Sequence, residues 1–106
     1  MIDKWEVLFS EQSIEEIRNI HDYIAYELLA PENARKQVDR IISKAESLDI
    51  SPMRNPLYDN KKWKKKGLRR MVVDNFLIFY LTCEKSKQVQ IVSILYGARD
   101  IDNIIE

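Results

Sequence analysis

The stretch LRRMVVDNFLIFYLTCEKSKQVQIVSIL, residues 68–95, holds three short runs rich in β-branched, aromatic and aliphatic residues. The runs are 68–73, 76–82 and 89–95; Asp74-Asn75 separates the first two, and 84–87 (EKSK) separates the second from the third. Connections this tight join neighbouring strands in opposite directions, so the segment predicts an antiparallel meander. Upstream, residues 4–9 (KWEVLF) have strand composition and end at Ser10. A helix should follow, capped by Ser10 or Ser13, because Ser13-Ile14-Glu15-Glu16 has capping-box spacing. Ile14, Ile17, Ile20, Ile24 and Leu28 recur at helical period, with Tyr23 flanking them. Pro31 and Glu32 suit the first turn of a second helix, whose stripe is Ala34, Val38, Ile41, Ile42, Ala45 and Leu48 and which ends before Pro52. So short a joint folds the two helices back as an antiparallel hairpin. Neither is apolar all round, so the hairpin must lay one face on the strands. The predicted fold is α+β: an N-terminal strand, an antiparallel helical hairpin, then a three-stranded antiparallel meander, in a single domain over residues 1–106.

Composition narrows the chemistry. A chain of 106 residues, 45% hydrophobic and 32% charged, has enough apolar material for one core. No apolar run approaches the roughly 18 residues that span a bilayer, and the first ten residues lack a signal-peptide pattern. The expected compartment is the cytoplasm, which also fits a lone cysteine, Cys83. One Cys and one His cannot assemble a zinc site of the usual ligands, and no cofactor or metal is expected. His21 sits within the first helix and reads as a boundary residue, and Cys83 has no histidine near it in the pattern. Gly67 and Gly97 are the only glycines, so no glycine-rich phosphate loop exists; Gly97 reads as relief for the backbone at a strand end or bulge.

Charge is where the sequence becomes informative. Seven of the ten residues from 61 to 70 (KKWKKKGLRR) are basic, on a chain of net charge zero. Residues 1–60 carry 7 basic and 12 acidic side chains, and residues 61–106 carry 10 and 5, so the halves differ in sign at −5 and +5. A cationic half attracts phosphate-rich or acidic partners, while the plainer reading is a solvated loop. The cluster occupies the second half of a long connection, 48–68, that shows no clear periodicity. Strand alternation sends Arg69 and Arg70 to opposite faces of the sheet, one toward the helices and one toward the open side. Arg99, after the last strand, could converge on that open side. The candidate binding face is therefore Lys61, Lys62, Trp63, Lys64, Lys65, Lys66, Arg69, Arg70, Tyr96 and Arg99. Its arginines suit phosphate, and Trp63 and Tyr96 could stack on bases. The competing reading pairs Arg99 with Asp100 or Asp102 and uses Trp63 to pin the loop to the core. RNA cleavage is chemically open to such a face, because the attacking 2′-hydroxyl belongs to the substrate and Arg or Lys can stabilise phosphorane charge.

The chain resembles bacterial type II toxins of the RelE/ParE superfamily over nearly its full length. The resemblance lies in Tyr23-Ile24-Ala25, Ala30-Pro31-Glu32-Asn33-Ala34 and Gly67-Leu68-Arg69. It continues through Asp74-Asn75-Phe76-Leu77-Ile78-Phe79-Tyr80 and Ile94-Leu95-Tyr96-Gly97-Ala98-Arg99-Asp100. It implies a helical hairpin on a small antiparallel sheet, and a cognate antitoxin that wraps the toxin and masks its working face. RelE-like members cut mRNA in the ribosomal A site, whereas ParE-like members poison DNA gyrase. By that resemblance Arg99 matches a phosphate-contacting position of the nucleases, and Arg70 falls near a functional lysine of theirs. Two departures count against the nuclease: Leu77 stands after Phe76 where they carry an arginine, and 101–106 (IDNIIE) holds no Tyr or His. The expectation is a growth-arresting toxin that acts on gyrase. The alternatives are a ribosome-dependent, metal-independent endoribonuclease using Arg70, Arg99 and Lys65, and a non-toxic nucleic-acid-binding module.

Overall fold

A computed structural model describes residues 3–97. The chain enters through β1 (Glu6–Phe9) and turns at Ser10 into α1 (Glu11–Asp22). Ser10 is the helix cap: its hydroxyl accepts from the Ser13 amide at 3.0 Å, and Ser13 Oγ donates back to the Ser10 carbonyl at 2.8 Å. Ser13 is thereby buried in the first turn, and Glu16 is released from the capping-box role its spacing suggested. A π-helical turn, Tyr23–Glu27, continues α1 and closes with Leu28 N–H donating to the Tyr23 carbonyl at 3.1 Å. After it come α2 (Pro31–Glu46), 3-10 turns at Ser47–Asp49 and Pro52–Arg54, and a short α3 (Lys61–Lys65). Then follow β2 (Arg69–Val73), β3 (Phe76–Cys83) and β4 (Gln88–Tyr96).

The meander β2-β3-β4 is antiparallel as expected, and β1 joins its far edge parallel to β4, giving the order β1-β4-β3-β2. The hairpin covers one face. Ile41, Ala45 and Leu48 of α2 and the turn after it pack with Trp5, Met71, Val73, Ile78, Tyr80, Val89, Ile91 and Ile94, and Ile17 and Ile20 of α1 pack against this core. The α1 stripe is shorter than its periodicity implied. Leu28 is 56% exposed because the π turn inserts a residue and rotates the following side chains off the stripe. Tyr23 is exposed as well, and Ile14 lines a shallow apolar groove with Phe9, Ile17, Arg18 and Ile42.

The outer edge of β4 explains the position of Glu16. Pairing with β1 stops at Phe9 opposite Ile91, and a bulge leaves Val92 as an extra residue between the Phe79–Ser93 and Tyr80–Ile91 pairs. Beyond that point α1 replaces the missing strand. Ser10 N–H donates to the Ile91 carbonyl at 3.0 Å and Ser10 Oγ to the Val92 carbonyl at 2.9 Å. The Glu16 carboxylate then accepts from Ile94 N–H at 2.9 Å and from the buried Ser93 hydroxyl at 2.9 and 3.0 Å. Among the described residues no helix is long and apolar enough to cross a membrane.

Candidate functional site

The lysine cluster is a helix rather than an irregular loop. Asn60 starts it, its side-chain oxygen accepting from the amides of Lys62 at 3.1 Å and Trp63 at 3.3 Å. Gly67 stops it at φ +81°, where an L side chain is strained although the surrounding space is open. The ending is a Schellman motif: Gly67 N–H bonds the Lys64 carbonyl and Leu68 N–H the Trp63 carbonyl, both at 3.1 Å. The hydrophobic contact that accompanies this motif is Leu68 with Trp63.

That contact belongs to a second, smaller core on the sheet face away from the hairpin. Leu68, Leu77, Phe79 and Leu95 are buried there, with Tyr58, Trp63, Leu81 and Val92 packed around them. The Tyr58 ring meets Phe79 edge-on at 5.3 Å, and Tyr58 N–H bonds the Leu68 carbonyl at 2.7 Å. Trp63 is thus seated on the sheet, with the Lys62 and Lys66 ammoniums 5.2 and 4.9 Å from its ring centroid. It pins the segment to the core and has little face left for a base.

Placement divides the candidate residues. Alternation along β2 puts Arg70 on the face shared by Leu68 and Trp63, where it is exposed, and Arg69 on the hairpin face opposite Tyr80. Arg69 is committed to structure there, its guanidinium donating to the carbonyls of Asn55 at 2.7 Å and Met53 at 3.2 Å. Tyr80 clamps the same turn: its hydroxyl donates to the Pro52 carbonyl at 2.6 Å and accepts from Asn55 Nδ2 at 3.1 Å. Burial pushes the Tyr80 phenol above its ordinary value, against the opposing influence of the Asn55 bond and of Arg69 and Arg54. Tyr96 pairs with Phe76, their rings edge-to-face at 5.9 Å, and Phe76 packs on the hairpin-side core. It therefore does not share a face with Trp63. Arg99 lies outside the described residues.

What remains together is α3 and Arg70. Among the described residues Lys61, Lys64, Lys65, Lys66 and Arg70 make no ion pair, whereas Arg18, Arg35, Arg40 and Lys87 all do. From Lys61 to Gly97 the chain carries 9 basic and 2 acidic side chains, and one of those two, Asp74, is bonded to Arg40 of α2. Lys61, Lys64, Lys65, Lys66 and Arg70 thus stand without ion-pair partners among the described residues, above an apolar sheet floor. The nearest sequence sign of this helix was Asn60, a cap residue directly ahead of the lysines, but a stripe of one Trp gives no period to detect.

The two-helix hairpin lies on one face of a four-stranded sheet, and the apolar reverse face is rimmed by cations. The model of the family described as ParE toxin of type II toxin-antitoxin system, parDE, matches residues 7–101, and the chain belongs to that family. No curated protein sequence is significantly similar to it. Solved structures share the fold, two of them from toxin–antitoxin systems. A chain of the chromosomal ParDE toxin–antitoxin system from P. aeruginosa superposes with a TM-score of 0.71 at 18% identity, over 87% of this chain and 95% of that one. A chain of the RelBE2 toxin–antitoxin complex from Mycobacterium tuberculosis gives 0.63 at 12% identity, over 88% and 98%.

Proposed function

We propose that this chain is a growth-arresting toxin that acts on DNA gyrase and is held inactive by a cognate antitoxin. The observation that carries the reading is the character of the sheet face beneath α3. Leu77, where a nuclease of the superfamily would present an arginine, is buried in the minor core beside Phe79 and Leu95. The lone histidine, His21, is on α1 paired with Asp22 at 3.0 Å, and so is placed on the other side of the sheet from α3. The face beneath α3 presents leucine where a nuclease of the superfamily would place a strand arginine, and losing a transition-state donor costs on the order of 3 kcal/mol. The antitoxin follows from the family and from the two relatives, both solved as parts of toxin–antitoxin systems.

The test is induction of the chain alone in bacteria, with DNA and protein synthesis followed separately, and a supercoiling assay with purified gyrase. Replication arrest, a DNA-damage response and lost supercoiling with intact mRNA are expected. Early translational arrest with cleaved mRNA would sink the gyrase reading and restore the endoribonuclease built on Arg70, Arg99 and Lys65. Unimpaired growth at good expression would leave only a binding module.

A further inference from the structure

We infer that α3 and Arg70 form a docking surface for the phosphate backbone of duplex DNA, so that this chain contacts DNA itself and not only a protein target. The inference rests on the gyrase reading in one respect, the choice of DNA over RNA. Everything else comes from the surface. Five cations, Lys61, Lys64, Lys65, Lys66 and Arg70, have no ion pair among the described residues. A helix of this length rises only about 1.5 Å per residue, so four ammoniums are packed along roughly 8 Å of axis. Duplex DNA offers about one phosphate per 1.7 Å, a comparable linear charge density of the opposite sign.

Two negative features select among polyanions. α3 itself shows no exposed large apolar side chain, since Trp63 is turned into the sheet and the rest are lysines; the exposed apolar residue of this face, Val72, lies at the margin, two positions beyond Arg70 on β2. A protein partner would need such an anchor at its centre. A single strand would need open aromatic faces, and Trp63 is held between the minor core and two ammoniums while Tyr58 is edge-on to Phe79. Point-charge lysines on a rigid, stackless platform fit a backbone read by charge alone.

The experiment is fluorescence anisotropy of the full chain with a labelled mixed-sequence duplex, without gyrase, from 50 to 200 mM NaCl. Five phosphate contacts give a slope of log K against log salt of about −4.5, hence a loss of about 500-fold over that range. The double variant Lys64→Gln, Lys65→Gln should bind more weakly at 50 mM and lose only about 40-fold over the same range. Its circular dichroism should match the parent, because both side chains are exposed. A slope shallower than −1, a variant indistinguishable from the parent, or tighter binding to a single strand, an RNA duplex or a polyglutamate peptide would each overturn the inference. Supercoiling inhibition measured in parallel keeps the two ideas apart. DNA binding without inhibition removes the gyrase reading and leaves this surface, and inhibition without DNA binding does the reverse.

Discussion

Replacing Glu16 by Ala should weaken the fold more than any other exposed-looking carboxylate. Glu16 stands in for a strand at the unpaired edge of β4, where its carboxylate accepts from Ile94 N–H at 2.9 Å and from the Ser93 hydroxyl at 2.9 and 3.0 Å. Ser93 is 0% and Ile94 1% exposed in the folded chain, so both donors are removed from water and depend on the carboxylate for a partner. A hydrogen bond to a charged group contributes about 1.5–3 kcal/mol, and Glu16 itself is partly solvated, which places two lost donors near the low end, about 3 kcal/mol together. Against a total stability of about 5–15 kcal/mol this is a large fraction. It corresponds to a fall in melting temperature of roughly 12–20 °C. Glu16→Gln keeps an acceptor and should lose only about 1 kcal/mol. Urea unfolding followed by circular dichroism measures both, with the midpoint shifting at constant slope. An Ala variant within about 1 kcal/mol of the parent, or a Gln variant as unstable as Ala, would show that α1 does not hold the β4 edge through this carboxylate.

Trp63→Ala should cost about 2 kcal/mol, below the range for a fully buried ring because Trp63 is only half-buried, and should release α3 without melting the sheet. Hydrogen exchange checks this: the amides of Lys64, Lys66, Gly67 and Leu68 lose protection while those of β3 keep theirs, and simultaneous loss in both would show that the minor core does not open separately. Tyr80→Phe removes the bond to the Pro52 carbonyl and should cost about 1–2 kcal/mol at neutral pH. Because burial raises the folded-state value above the ordinary 10.0, the parent keeps its full stability below pH 10 and loses it as pH climbs from there toward the folded value. The Phe variant should show a shallower alkaline decline in thermal denaturation from pH 9 to 11, and an unchanged decline would assign the effect to another group.

The sheet and hairpin were legible because their signals are local. Runs of β-branched and aromatic residues between turn residues mark β2 and β3, Pro31 marks the start of α2, and parity puts Arg69 and Arg70 on opposite sides of the sheet without saying which side each takes. Three features were not. The parallel seat of β1 beside β4 depends on pairing between residues more than eighty apart, which no window of sequence carries. The π turn at Tyr23–Glu27 changes the helical phase without any breaker residue to announce it. The lysine helix is held from outside, by Asn60, Gly67 and the seat of Trp63 on Leu68, and its own lysines carry no pattern. The proposed binding set was overdrawn for the same reason. Arg69 looked like its neighbour Arg70 in sequence, yet one lies under a turn of backbone carbonyls and the other in solvent.

The minor core has a purpose that follows from electrostatics. Neighbouring ammoniums repel, Lys61 and Lys62 also sit at the unfavourable positive end of the helix dipole, and a helix of five residues cannot sustain itself in water. Such a segment would disperse its charges if left free. The Trp63 anchor, the Asn60 cap and the Schellman ending oppose that, so stability from the reverse face of the sheet is spent on keeping cations close. The same reasoning separates function from fold: neutralising Lys64 and Lys65 relieves repulsion and should leave the melting temperature equal or slightly higher while DNA affinity falls. If both fell together, the lysines would be part of what holds α3 in place rather than a load that the minor core carries.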